Sequence, residues 1–224
     1  MTSHTAELAA SLSADLSPVT PLPLPGAQLR RWGVIGGAAL VATIVMGVRH
    51  DWAAAIVSWP VIGHTAVLAA VAGSGAWAAI RLATPGEALP RAAGWPVAFG
   101  VIWLVWMAVD AGLAGASGTL SQAGFGWRCI VRAVLGAAVP GVVLLVMVRR
   151  AMPLMARPAA VALAASTAAI GGLAAEWMCP NMAAMHMLVW HAAPVLVVVV
   201  AATMCGTALV GHFSSTRNAR LGHT

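Results

Sequence analysis

Residues 187–212, MLVWHAAPVLVVVVAATMCGTALVGH, carry no charged side chain over a length that can cross a bilayer as one helix. A helix needs about 20 mainly apolar residues to span roughly 30 Å of hydrocarbon. Five further segments are of comparable length and apolarity, so we predict six transmembrane helices. The six segments are residues 32–48, 60–82, 95–113, 127–148, 158–177 and 187–212. Pro140 and Pro194 lie inside the fourth and the sixth segment, and each predicts a kink.

The composition of the whole chain agrees with a membrane protein. Of its 224 residues, 61% are hydrophobic and 8% are charged, whereas a soluble domain carries about 25% charged residues. Six acidic and twelve basic side chains are too few to cover a soluble globule of this size. The predicted fold class is therefore an all-α polytopic membrane protein with six transmembrane helices.

The positions of the arginines predict how these helices are oriented. The net charge of +6 comes from arginine, because the sequence contains no lysine. Nine arginines fall on one predicted side of the membrane and three, Arg49, Arg128 and Arg132, on the other. Because cytoplasmic loops carry an excess of positive charge, we predict that both termini are cytoplasmic. The nine are Arg30, Arg31, Arg81, Arg91, Arg149, Arg150, Arg157, Arg217 and Arg220.

The residues before the first apolar segment form a region of their own. Leu8, Leu12 and Leu16 recur every fourth residue, which places them on one face of a predicted helix. The same stretch carries two acidic residues, Glu7 and Asp15, and a proline-rich linker follows it. We divide the chain into a cytoplasmic segment, a transmembrane domain and a cytoplasmic tail, at residues 1–30, 31–212 and 213–224.

Two of the three cysteines lie on the predicted outer side. Cys129 is in the first turn of the fourth helix and Cys179 follows the fifth, so both are expected at a similar depth. Their placement is compatible with a disulfide and also with two separate, small hydrophobic side chains. Cys205 lies deeper, in the sixth helix, and we interpret it as a small apolar residue.

Soft ligand types are concentrated around the second outer cysteine. Thiolate, thioether and imidazole groups together suit cuprous and other soft metal ions. The spacing matches no established metal motif, and methionine is also a common packing residue, so packing stays open as the alternative. His64 is expected at a different depth from the other histidines, which does not favour a haem held by two of them. The candidate ligands are Cys129, Cys179, Met182, Met185, His186 and His191.

A few charged residues lie near the outer ends of the predicted helices. Charges within a membrane usually pair with one another. We therefore expect Asp110 or Glu176 to pair with Arg128 or Arg132. The middle of the bundle holds almost no charge, which does not favour an ion transporter.

Enzyme motifs are missing from the sequence. It has no phosphate-binding loop, nucleophile elbow or zinc-protease helix, and no Cys-x-x-Cys pair of the kind that a disulfide oxidase uses. We predict a protein that is not an enzyme and that needs no cofactor, apart from a regulatory soft or heavy metal ion.

Several stretches of the chain resemble the NrsF family, the negative regulators of sigma F. Its most specific features here are Cys129, the arginine- and proline-containing inner loop after the fourth helix, and the run from Cys179 to His191. The resembling stretches are LAASLSADLSPVTPLPLP (8–25), RRW (30–32), RLATPG (81–86), FGWRCIVRAVLGAAVPG (125–141), RRAMPLMARPAAVALAAS (149–166) and CPNMAAMHMLVWH (179–191).

The resemblance implies a multi-pass anti-sigma factor of a bacterial inner membrane. Such a protein binds an extracytoplasmic-function (ECF) sigma factor on the cytoplasmic side, without direct contact with nucleic acid. It would release the sigma factor when Cys129 and Cys179 sense a stress signal. The residues expected to bind the sigma factor are Glu7, Leu8, Leu12, Asp15 and Leu16, because an amphipathic helix can dock into an apolar groove.

Two other functions stay open at this point. The first is a soft-metal-binding membrane transporter, which the cysteine, methionine and histidine residues near Cys179 favour. The second is a membrane redox enzyme.

Overall fold

A computed structural model describes residues 3–14, 21–84, 91–113, 126–151, 153 and 155–211, and the regular structure in these residues is helical. A 3-10 turn at Arg91–Gly94 leads into the helix that begins at Trp95. A π-helical turn at Leu188–Ala192 joins the short helix before it to the helix that begins at Ala193. The helices are α1 (Ser3–Ala14), α2 (Pro25–Val45), α3 (Trp52–Ala55), α4 (Trp59–Ala83), α5 (Trp95–Leu113), α6 (Trp127–Arg150), α7 (Ala156–Met178), α8 (Ala184–Met187) and α9 (Ala193–Gly211).

Five helical stretches are long and apolar enough to cross a membrane. They correspond to the last five predicted segments, and the predicted all-helical fold is confirmed for the described residues. Each bound lies within a few residues of its prediction, because the apolar runs end at prolines, tryptophans and arginines that mark helix ends. The five are Trp59–Ala83, Trp95–Leu113, Trp127–Arg150, Ala156–Met178 and Ala184–Ala208.

The first predicted segment differs from the helix that contains it. We predicted residues 32–48, but α2 begins at Pro25 and ends at Val45. Proline suits the first turn of a helix because it has no N–H to leave unpaired. The early turns of α2 carry Arg30 and Arg31, so its apolar part is shorter than the roughly 20 residues of a typical span. A membrane span in α2, which would bring the total to six, therefore stays a prediction.

Helix α7 lies at the centre of the bundle, against α4, α6 and α9. Helix α2 packs on α6, and α5 packs on α4. Most residues of α7 are alanine or glycine, and such small residues let helix backbones approach closely. At Gly136 of α6, an added Cβ would lie 2.2 Å from the Cβ of Ala174. At Gly75 of α4, it would lie 2.9 Å from the carbonyl oxygen of Ala162. The central contacts therefore require glycine at these positions.

A buried hydrogen bond joins α2 to α6. The indole Nε1 of Trp32 donates to the carbonyl oxygen of Pro140 at 3.0 Å. Pro140 lies inside α6, as predicted, and Gly36 of α2 leaves room for its ring, since an added Cβ would stand 3.0 Å from the Cβ of Pro140. The indole and the proline together fix where α2 crosses α6.

We expect Trp32→Phe to lower the free energy of unfolding by about 0.5–1 kcal/mol, because the hydrogen bond is lost while most of the packing is kept. Reversible unfolding of the purified chain in detergent would measure this. Trp59→Phe is the control, since Trp59 is largely exposed at the start of α4. Equal effects of the two changes would contradict the role of the Trp32 hydrogen bond.

Candidate metal site

Two cysteines from different helices meet at one end of the bundle, which we call the cysteine end. Cys129 lies in the first turn of α6, and Cys179 directly follows α7. Both are buried free thiols, and the Cys129 thiol donates to the Sγ of Cys179 at 3.3 Å. The similar depth predicted for the two is confirmed. Of the two interpretations left open, the structure shows neither a disulfide nor separated side chains, but a reduced pair in contact.

Two histidines complete a buried group around this pair. The Nε2 of His186 lies 3.5 Å from the Sγ of Cys129 and 3.4 Å from that of Cys179. With His191, the four side chains each offer one ligand atom, and these atoms lie within 4.8 Å of one another. All four residues are buried. We call Cys129, Cys179, His186 and His191 the Cys2His2 cluster.

The distances among Cys129, Cys179 and His186 are close to those around a tetrahedral metal ion. With metal–sulfur bonds of about 2.3 Å and metal–nitrogen bonds of about 2.05 Å, two sulfurs lie about 3.8 Å apart and a sulfur and a nitrogen about 3.6 Å apart. The distances from His186 to the two sulfurs agree closely, while the sulfurs themselves are somewhat nearer to each other. Thiolate and imidazole ligands suit Zn²⁺ and similar thiophilic ions. Four protein ligands are typical of structural rather than catalytic sites.

The π-helical turn explains how both histidines reach the cluster. His186 and His191 are five residues apart, which in an α-helix would separate them by about 140° around the axis. Within the turn, the N–H of Ala193 bonds to the carbonyl oxygen of Leu188, five residues earlier. This wider winding brings residues five apart back towards one side. The turn comes just before Pro194, where we predicted that the helix would be interrupted by a kink.

The remaining candidates have different surroundings. Met182 is half-buried against the main apolar core, as a packing residue would be. Met185 is half-buried on α8, and its role as a ligand stays a prediction. Cys205 is exposed on the surface of α9.

The predicted pairing of a buried carboxylate with an arginine of α6 is wrong for the described residues. The Nη1 of Arg132 instead donates to the carbonyl oxygen of Met178, one of the carbonyls that the end of α7 leaves without a helical partner. The Oε1 of Glu176 lies 3.7 Å from the Nδ1 of His64. His64 therefore belongs to the cysteine end, and the different depth predicted for it is wrong. Asp110 makes no ion pair within the described part of the chain.

A buried arginine fixes the segment after α7. The guanidinium of Arg49 donates to both carboxylate oxygens of Asp51, at 2.7 and 2.8 Å, and to the carbonyl oxygen of Pro180 at 3.4 Å. The backbone N–H of Arg49 also donates to the carbonyl oxygen of Trp177 at 3.1 Å. The hydrogen bond from Arg49 lowers the pKa of Asp51 to about 2, so the ion pair persists at neutral pH. From the sequence, Arg49 is recognisable only as one of three outer arginines.

The amino-terminal helix is confirmed, and its side chains are exposed from Thr5 to Ala14. Leu8 and Leu12 are 55% and 64% exposed on α1, and Glu7 is exposed as well. Asp15 and Leu16, the other two residues predicted to bind a partner, lie outside the described residues. The apolar face of α1 is thus open to a partner along the part that is described.

Comparison with known proteins gives one match. The model of the NrsF family, described as negative regulator of sigma F, matches residues 12–211, which are most of the chain. No curated protein and no solved structure matches the chain.

Proposed function

We propose a function from the premise that the chain belongs to the NrsF family, the negative regulators of sigma F: it holds an ECF sigma factor inactive at a bacterial inner membrane. In this proposal the chain crosses the membrane six times, with α2 as the first span and both termini in the cytoplasm. The Cys2His2 cluster then faces the periplasm. The observation that carries the sensing part of the proposal is that four buried metal-ligand atoms meet within 4.8 Å at this end.

The sigma factor binds to the amino-terminal segment. Leu8 and Leu12 lie one turn apart on α1 and are exposed, which is what an amphipathic helix needs in order to enter an apolar groove. Leu16 continues the same spacing, and Glu7 and Asp15 add acidic side chains for a basic sigma-factor surface. The proline-rich linker separates this helix from the bilayer.

The signal acts on the two sulfurs of the cluster. A thiophilic metal ion would hold them about 3.8 Å apart, slightly farther than their present 3.3 Å. An oxidant that accepts two electrons and two protons would instead join them by one S–S bond of about 2.05 Å. Either signal changes the position of the start of α6 relative to the end of α7.

Close packing carries that change to the opposite end of the bundle. Helices α6 and α7 touch at Gly136, and again at Gly171, where an added Cβ would lie 2.8 Å from the carbonyl oxygen of Ala133. Two helices in such close contact move together rather than bend independently. Their connection, between Arg150 and Ala156, lies at the predicted cytoplasmic side, where the sigma factor is bound. This coupling is inferred from the continuous packing.

Sigma-factor binding by the full-length chain tests the proposal. We expect Leu8→Asp with Leu12→Asp to lower co-purification of the sigma factor from membranes more than tenfold, because two charges replace the apolar contacts of the docked face. Each ECF sigma factor of the source organism would be co-expressed in turn and quantified after purification.

Ala10→Asp with Ala14→Asp is the matched control, since it adds the same charges on another side of α1, at residues that are also exposed. If the control loses the sigma factor equally, the leucine face is not the binding surface. If the unaltered chain retains no sigma factor, the proposed function is wrong.

A further inference from the structure

Two buried titratable side chains next to the Cys2His2 cluster lack hydrogen-bond partners among the described residues. His64 is 2% exposed on α4, and Glu176 is 1% exposed on α7. Among the described residues, neither ring nitrogen of His64 and neither carboxylate oxygen of Glu176 has a hydrogen-bond partner. Buried polar atoms are almost always paired with protein, water or an ion. Four such atoms at one place therefore point to a ligand.

We propose that His64 and Glu176 bind a second cation, of the divalent type that accepts nitrogen and oxygen ligands. The Nδ1 of His64 and the Oε1 of Glu176 are 3.7 Å apart, which is too long for a hydrogen bond between them. An ion about 2.1 Å from each atom would see them at an angle of about 120°, which is within the range of tetrahedral and five-coordinate ions. The pair provides two protein ligands.

The charges around the pair favour a cation. Arg49, which acts electrostatically on Glu176, is already in a bidentate ion pair with Asp51. Asp110 of α5 acts electrostatically on His64 and adds a second acidic side chain on that side. His191 also acts on His64, so the second site borders the Cys2His2 cluster. With Glu176 ionised, a divalent cation would balance the buried negative charge.

An aromatic ring covers the pair on the side of α5. The rings of His64 and Trp106 meet edge to face, with their centroids 4.6 Å apart. Gly63 makes this approach possible, because an added Cβ there would lie 2.1 Å from the Trp106 ring. The indole thus shields the site and holds the imidazole in one orientation.

The two sites differ in the ions that they prefer. Two thiolates make the Cys2His2 cluster selective for soft ions, whereas imidazole and carboxylate also accept harder ones such as Mn²⁺. The second site does not depend on sigma-factor binding, so it can be tested independently of the proposed function.

Cobalt titration of the full-length chain in detergent distinguishes the sites. We expect the unaltered protein to bind two equivalents of Co²⁺, one with the near-ultraviolet charge-transfer band of a thiolate ligand and one with weak visible bands alone. Glu176→Gln should remove the second equivalent and keep the charge-transfer band, which also shows that this variant is folded. Cys129→Ser with Cys179→Ser should remove the band and keep the other equivalent.

Glu7→Gln is the control, because it removes an exposed carboxylate on α1, which is a separate helix. A single equivalent in the unaltered protein, or two equivalents in Glu176→Gln, would overturn the second site and leave the pair with a shared proton only. Should Glu176→Gln fail to fold, His64→Phe gives the same decision: it must lose one equivalent while keeping the thiolate band, and two equivalents would overturn the proposal.

Discussion

Replacing Cys129 or Cys179 by serine is expected to weaken Zn²⁺ binding at the Cys2His2 cluster at least 100-fold. Each change removes one of four ligands, and a serine hydroxyl stays protonated at neutral pH where a thiol bound to zinc is deprotonated. Loss of an outer-shell partner alone typically costs 10–100-fold in metal affinity, so loss of a direct ligand should cost at least as much. Competition with a chelator of known affinity, on the purified full-length chain, measures the change.

The same two variants should keep the sigma factor bound when the metal is added to cells. A reporter gene transcribed by that sigma factor would show an unchanged, low signal. Cys205→Ser is the matched control, since this cysteine is exposed on α9. If both outer variants respond to the metal as the unaltered protein does, the cysteine pair is not the sensor. Normal metal affinity in them would show further that the cluster is not the binding site.

The second large effect is expected at the contact between α6 and α7. In Gly136→Ala, the new methyl group would stand 2.2 Å from the Cβ of Ala174, and no such contact between carbon atoms is tolerated. The helices must move apart, which we expect to cost roughly 1–3 kcal/mol of unfolding free energy. Because Cys129 lies about two turns from Gly136 on the same helix, the sulfurs should separate and the affinity for zinc should fall as well.

Gly73→Ala separates this steric effect from the general effect of alanine in a helix. No described atom lies within 4 Å of the position that the Gly73 Cβ would take on α4. Alanine is the better helix former, so this variant should be as stable as the unaltered protein or slightly more stable. Unfolding in detergent and zinc competition would be measured on both variants. Equal stabilities would show that α6 and α7 are not in the close contact described.

Most of the helical framework could be predicted from the sequence because apolar length is a strong signal. Helix α5 coincides with its predicted segment, since Trp95 and Leu113 bound a run that is apolar apart from Asp110. Helix α2 could not be predicted as well, because Arg30 and Arg31 interrupt the apolar pattern without ending the helix. Hydropathy predicts which residues lie in the hydrocarbon of a membrane. A helix can extend beyond those residues into polar ones, so hydropathy does not predict where it begins.

The site could be predicted only in part. Cys129 and Cys179 were expected at one depth, and four of the six candidate ligands do come together. His191 lies beside His186 because of a π-helical turn. A spacing of five residues between two histidines does not predict such a turn. The ion pair expected between a carboxylate and an arginine of α6 was based on charged side chains only. Arg132 instead donates to a backbone carbonyl oxygen at the end of α7.

Burial of the Cys2His2 cluster has a consequence for the time course of a response. Its four side chains are buried, and one of them, Cys179, belongs to the segment between α7 and α8, which Arg49 holds through the Pro180 carbonyl. An ion can enter or leave only when this part of the chain opens locally, and such openings are rare in well-packed regions. We expect slow exchange and long residence of the ion. Under the proposed function, we expect the release of the sigma factor to persist for a time after the metal concentration falls.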